Sequence, residues 1–276
     1  MNIQAFHALI GELGLSSFRE ELERVSKPCL DFLTERADTP VPSCESKIGG
    51  MPDLPAGMAW PVTRGNSQVP LLFLGRVAAK DVARIYPGIR SHLLFFAEWV
   101  YGHDGVVLEI PEDAQVFPAE CPPRPEEADP LLIECRVVVK ESVSLPETYH
   151  GPERNLYSRE LLHFGETPDP FWGGGVMHPI LEKLEYRSSI VSIEEPNRGM
   201  FRFGGYPLHV QAHPIDNANL NASTAGITDW CSLMSFGNDE ACGLSYGDTG
   251  FCGFMTTRRA IESGTLSFQH FYQDSM

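Results

Sequence analysis

Apolar residues recur at helical spacing at the start of the chain. Ile3, Phe6, Leu9, Ile10 and Leu13 predict a helix over residues 2–13, ended near Gly14. Ser17-Phe18-Arg19-Glu20 reads as a capping box, and Phe18, Leu22 and Val25 form the stripe of a second helix that Pro28 stops. Further on, the apolar residues fall into short runs of strand length. Residues 29–33, 70–77, 92–99, 105–110, 131–143, 200–211, 230–236, 250–256 and 266–272 each predict a strand. Helical stretches are expected around 79–86, 153–164 and 257–263, the last closed by Gly264 at its C-terminus. The strand-helix-strand order over 70–99 permits a parallel pair, and the turn 102–105 predicts that 105–110 is the hairpin partner of the strand before it.

One motif occurs twice: Gly49-Gly50-Met51-Pro52 and Gly204-Gly205-Tyr206-Pro207. Each copy leads through a loop into a short apolar run and then into an aromatic one. A Gly-Gly step before x-Pro marks a tight reversal, because glycine accepts positive φ and proline pre-sets an extended backbone. The pattern predicts an α+β fold of two related β-rich subdomains, an internal duplication with short outer helices and the two N-terminal helices in front. Within a single domain, residues 1–145 and 146–276 form the halves, and 47–100 and 202–256 are the segments expected to superpose.

Composition narrows the function classes. A chain of 276 residues is long enough to bury a large core, and its 25 glycines and 22 prolines favour many turns. The net charge of −16 repels phosphate backbones, which speaks against nucleic acid and favours a basic protein as partner. The densest acidic stretch, Glu109 to Glu134, includes Glu120, Glu126, Glu127 and Asp129, the residues expected to meet such a partner. Seven cysteines without a CxxC pair indicate reduced thiols, with no metal site and no cofactor. The N-terminus carries no continuous apolar stretch, so a cytoplasmic location away from the membrane is expected.

The segment from Ser46 to Pro55, followed by Trp60-Pro61 and Pro70-Leu71-Leu72-Phe73-Leu74, closely resembles the opening motif of the YwqG-like bacterial family, whose function is unknown. The second glycine motif, Gly247-Asp248-Thr249-Gly250 and the closing Phe271-Tyr272-Gln273-Asp274 are similar to the family's later landmarks. The resemblance implies a two-subdomain α and β protein of the cytoplasm and supplies no catalytic residues.

Other motifs have ordinary readings. Gly243-Leu244-Ser245-Tyr246-Gly247 matches a nucleophile elbow, yet no helix follows it, so a glycine-rich loop is expected. Asp248-Thr249-Gly250 matches half of an aspartic-protease dyad and lacks a second copy. His209 and His213, on an extended segment, would lie about 13 Å apart, too far to share a metal. Trp60 is expected to be largely buried. Lys47, next to Gly49 and Gly50, either helps a backbone nest bind an anion or holds the loop by pairing with Asp53 or covering Trp60. The leading expectation is a non-enzymatic binding protein acting on a protein partner, with an immunity or antitoxin-like role as one form. The rival is a small-molecule or carbohydrate-processing enzyme whose inter-half cleft gathers Lys47, Gln211 and Asp248.

Overall fold

In the computed structural model, ten strands pair into one antiparallel sheet. The structure describes residues 3–64, 68–98, 102, 104–125, 130–146, 155–164, 166–168, 176–177, 179–188, 201–209, 213–220, 226–246, 250–266 and 269–275. In chain order the strands of this sheet are β1 (Lys27–Arg36), β2 (Lys47–Ile48), β4 (Leu72–Val77), β5 (Ser91–Ala97), β6 (Gly105–Pro111), β8 (Cys135–Ser144), β11 (Phe201–Gly204), β12 (Trp230–Gly237), β13 (Phe251–Thr257) and β14 (His270–Asp274). Across the sheet they run β14-β13-β12-β11-β1-β8-β2-β4-β5-β6. Two small ribbons stand apart: β3 (Asp53–Pro55) with β7 (Val116–Pro118), and β9 (Thr167–Pro168) with β10 (Val176–Met177).

Alternation along the strands separates an inner from an outer face. Leu30 and Phe32 of β1, Phe95 of β5, Phe201 and Phe203 of β11, Phe236 of β12 and Phe254 of β13 turn inward and are fully buried in one cluster. Phe95 meets Phe236 and Phe254 edge-on at centroid distances of 5.6 and 5.2 Å. Such contacts across strands remote in sequence require the sheet to curl: Phe271 of the terminal strand β14 lies against Gly105 of β6 at the other edge, and Gln269, just before β14, exchanges hydrogen bonds with Val107 of β6. The result is a nearly closed barrel with an aromatic interior. The segment after β12 shuts one end with Cys242, Leu244 and Tyr246, while Ser245 faces solvent.

The opposite end is shut by α3 (Ala79–Ile85), which follows β4 and packs Val82 and Ile85 on the barrel core. Its first turn is capped by other elements: Ala78 N–H donates to Ser46 Oγ at 2.8 Å and Ala79 N–H to His92 Nδ1 at 3.1 Å. His92 must therefore stay neutral to accept, and burial, then the nearby Arg76 charge, lowers its pKa from the ordinary 6.5. A histidine whose folded-state pKa is depressed contributes stability above the unfolded value, and this is lost as pH falls from about 6.5 through the lower folded value. Denaturant unfolding at pH 7.5 and 5.5 should show the wild type losing more stability than His92→Gln. Equal losses would remove His92 from the acid response.

Outside the barrel lie three satellite clusters. The N-terminal helices α1 (Ile3–Glu12) and α2 (Arg19–Val25) pack with α4 (Arg159–His163) and α5 (Pro179–Ser188) around Phe6, Ile10, Leu22, Leu161 and Leu184. Leu54, Phe73, Leu94, Phe96 and Ile110 form a second cluster beneath the β3/β7 ribbon. The third joins α6 (Pro214–Leu220) to Trp230, Met255 and Tyr272. The last helix, α7 (Arg258–Ser263), ends at Gly264 with φ 71°, the glycine termination its sequence predicts.

This architecture corrects the expected fold class. The protein is mostly β, with short helices, and the expected pair of α+β subdomains is replaced by one continuous sheet. The reason is the pairing of β1 with β8 over ten residues, Lys27↔Ser144 to Arg36↔Cys135, which fuses the strands on either side of it. The permitted parallel pair is also absent, because β4 and β5 are antiparallel. The chain that leaves β4 at Val77 turns back through α3 at that barrel end and re-enters as β5. The capping box is not formed either: Ser16–Phe18 is a 3₁₀ turn, and the α2 N-cap, Phe18, makes no side-chain capping bond. Among the described residues, no helix is long and apolar enough to cross a membrane.

Candidate functional site

The repeated glycine motif is the natural place to begin. Gly49 and Gly50 have φ of 67° and 70°, and Gly204 and Gly205 have 76° and 71°, so both copies adopt the left-handed reversal. They sit at opposite ends of β8: a Cβ on Gly49 would strike Ile133 O just before that strand, and one on Gly205 would strike Ser144 at its end. The first pair does not form an anion nest, because Gly49 N–H donates to Leu74 O and Gly50 N–H to Leu132 O.

Lys47 lies on the outer face of β2 and is buried. Its Nζ donates to Met51 O at 2.6 Å and to Glu134 Oε2 at 2.7 Å. Asp53, the partner expected for Lys47, is instead bound by Arg76 Nη1 at 2.6 Å, and Arg76 further donates to the carbonyls of Glu45 and Pro42. Nor does Lys47 cover Trp60; the ring near it is Phe73, with a centroid 6.0 Å away. Two residues before the second glycine pair, Arg202 is likewise buried, with Nε 3.1 Å from Asp31 Oδ1. Cations at matching places in the motif thus act as internal struts, each neutralised by a carboxylate remote in sequence. Their charges are spent inside the fold.

Among the predicted site residues, the structure brings together Lys47, Gly49 and Gly50. Gln211, Asp248, Glu126, Glu127 and Asp129 lie outside the described residues, as do Gly173-Gly174-Gly175, while Glu120 is exposed. The histidine pair differs from expectation: the His209 and His213 ring centroids are 4.8 Å apart, and α6 begins directly after His213. His213 Nδ1 accepts from Ile215 N–H at 3.3 Å, which places the proton of the neutral ring on Nε2. All seven cysteines are free, and burial raises Cys29 to about 12 and Cys135 to about 11, so these two are poor nucleophiles.

An open cleft of about 340 Å³ lies on the outer face of β6, between Trp60 to Arg64 on one side and Asp104 to Leu108 on the other. Trp60 is partly buried and packs against the second cluster: its Nε1 donates to Leu71 O at 2.9 Å, and its ring meets Phe96 edge-on at 5.5 Å. One indole edge is thereby fixed while the ring walls the cleft. Val62, Leu71, Val106 and Leu108 supply apolar lining. At the rim, Arg64 N–H donates to Asp104 Oδ2 at 2.6 Å, while the Arg64 side chain is 83% exposed and its Nε stands 3.8 Å from Asp104 Oδ1. Val62, in the cleft lining, is exposed, as are Met58 two residues before Trp60 and Phe117 of β7. Sequence reasoning singled out Trp60 but missed Arg64 and Asp104; each stands beside a glycine in the sequence, Gly65 and Gly105, which is the signal available.

The motifs around the first strut and the cleft fall within a recognised sequence family. The family model described as Domain of unknown function (DUF1963) matches residues 46–273. The chain belongs to this family. The DUF1963 match begins at Ser46, which caps α3, and runs to Gln273 in β14, so it takes in every strand of the barrel except β1. The two buried cations and the Trp60 cleft are therefore features within the DUF1963 segment, while α1, α2 and β1 precede it. No curated protein matches the chain.

Proposed function

We propose that this DUF1963 protein acts by binding a protein partner, and that the Trp60 cleft is where the partner's contact energy is concentrated. The observation that carries this reading is the cleft itself: an aromatic wall held by its own hydrogen bond, an apolar lining that includes exposed Val62, a charged rim, and exposed Met58 two residues before Trp60. Apolar surface of this kind, framed by polar groups, is what a partner's side chain buries on docking. The net charge of −16 adds long-range attraction for a basic protein, with the carboxylates of Glu120, Glu126, Glu127 and Asp129 as contributors. We further read the Ser46–Pro55 motif as placing the chain near the YwqG-like proteins and the cytoplasm as its compartment. The engagement of Lys47 by Glu134 supports binding over catalysis at the glycine motif.

Two substitution sets separate the parts of this proposal. Val62→Asn with Met58→Asn removes apolar contact without changing charge. Neutralising Glu120, Glu126, Glu127 and Asp129 removes negative charge and leaves the residues that line the cleft unsubstituted. Proteins captured from the native cell and named by mass spectrometry should be lost or bound at least about tenfold more weakly by the first set, through faster dissociation. The second set should slow association and flatten its salt dependence. Retention of the same partner with unchanged affinity by the Val62/Met58 variant would reject the cleft as the docking site.

A further inference from the structure

We propose that β6 is a gate strand, held in the barrel by the side chain of Gln269 in place of a backbone ladder. On one side β6 is paired conventionally, from Ser91↔Pro111 to Ala97↔Gly105 with β5. On the other side it faces β14, and these two are the terminal strands of the sheet order. The gap is bridged by an amide side chain acting as a peptide group. Val107 N–H donates to Gln269 Oε1 at 2.6 Å, and Gln269 Nε2 donates to Val107 O at 2.8 Å and to Leu266 O at 3.0 Å.

The rest of the seam follows the same principle. Leu266 N–H donates to the Glu109 carboxylate at 2.5 Å, and Gln273 Nε2 donates to Glu98 O at 3.1 Å. Phe271 lies against Gly105 so closely that a Cβ there would sit 2.5 Å from its ring. Each of these contacts is made by a side chain and breaks by a change of rotamer, whereas a ladder breaks only when a strand moves as a body. Side-chain rotation is far faster than cooperative opening, and local opening begins where such bonds replace packed backbone pairs.

The position of this seam gives it a role. Val107 faces the barrel core, but Gly105, Val106 and Leu108 of the same strand line the Trp60 cleft together with Asp104. Releasing Gln269 therefore lets one wall of the cleft move while β1 and β8 stay paired. A partner seated in the cleft favours whichever position of β6 fits it, which makes closure of the seam a regulator of binding. This functional consequence rests on the binding reading above; the gate itself does not.

Residue-resolved amide exchange on the full chain tests the gate. In Gln269→Leu, exchange at Val107 and Leu266 should rise on the order of tenfold, from the loss of a bidentate pair. Gln269→Glu keeps the acceptor for Val107 N–H and loses the donor, so its rise should be smaller. Amides of Phe32 and Val139 in the central strands should be unchanged in both. No rise at Val107, or an equal rise in the central strands, would show that β6 opens only with the whole barrel and would overturn the proposal. If the local rise is found but Gln269→Leu captures the same partner at unchanged rates, the coupling to the cleft is wrong and the gate stands alone.

Discussion

Asp31→Ala is expected to cost about 3–5 kcal/mol, the loss typical of stranding one member of a buried ion pair. Asp31 is 0% exposed and Arg202 3%, and they are directly opposite in the β1 and β11 register. Arg202 Nε reaches Asp31 Oδ1 at 3.1 Å, and Nη1 reaches Ser144 Oγ at 3.4 Å. Alanine would leave the guanidinium desolvated without its anion, at a site where water has no ready access. A typical domain has only about 5–15 kcal/mol of stability, so urea unfolding should show much of it gone. Asp31→Leu combined with Arg202→Met should recover a large part, since an apolar pair of similar volume replaces both charges. A single-variant loss below about 1 kcal/mol would mean that the pair is as weak as one on the surface.

How the strands pair was less legible than where they lie. The apolar runs at 70–77, 92–99, 230–236 and 250–256 announced β4, β5, β12 and β13 because each is buried on both faces, inside the barrel and under a satellite cluster. β1 extends past its apolar run to Arg36, because β8 pairs with every residue to that point; polar Thr34, Glu35 and Arg36 give no local sign of this. The same pairing is why the repeated motif does not mark two subdomains. Repetition is a local property, while fusion into one sheet depends on partners more than 100 residues apart, such as Lys27 and Ser144. Helices α5 and α6 were missed, and their short stripes compete with nearby proline and asparagine signals for turns.

The candidate site shows the same limit. Lys47 stood out in the sequence because of the glycines that follow it, yet its carboxylate is Glu134, which the sequence presents as the end of an acidic stretch. Choosing Asp53 as its partner was reasonable by proximity along the chain. Strand geometry decides otherwise, because Arg76 on β4 lies directly opposite Lys47 on β2 and takes Asp53 for itself. Trp60 drew attention as an aromatic beside prolines, but the cleft is completed by Asp104 and Leu108, which the β5/β6 hairpin brings to it.

Gly49→Ala should be among the most damaging single-atom additions available in this protein. Three glycines separate the causes. Gly57 has φ 80° with open space around it, so alanine there meets only the left-handed backbone penalty, about 1–2 kcal/mol. Gly204 has φ 76°, and a Cβ would lie 2.6 Å from Ile85 Cγ2, a side-chain methyl with some room to turn. At Gly49, with φ 67°, the added carbon would stand 2.2 Å from Ile133 O. That oxygen belongs to the backbone, and Ile133 N–H is itself tied to Cys242 O at 2.9 Å, so the obstacle cannot step aside alone. Relief requires β2 to separate from the start of β8, which also draws Lys47 away from Glu134. A loss above about 4 kcal/mol, or failure to fold, is expected for Gly49→Ala, with Gly204→Ala between it and Gly57→Ala. Thermal melts of the three variants check the order. Equal losses would show that positive φ alone sets the cost, and that the close approach of the first glycine turn to β8 contributes nothing to specifying the barrel.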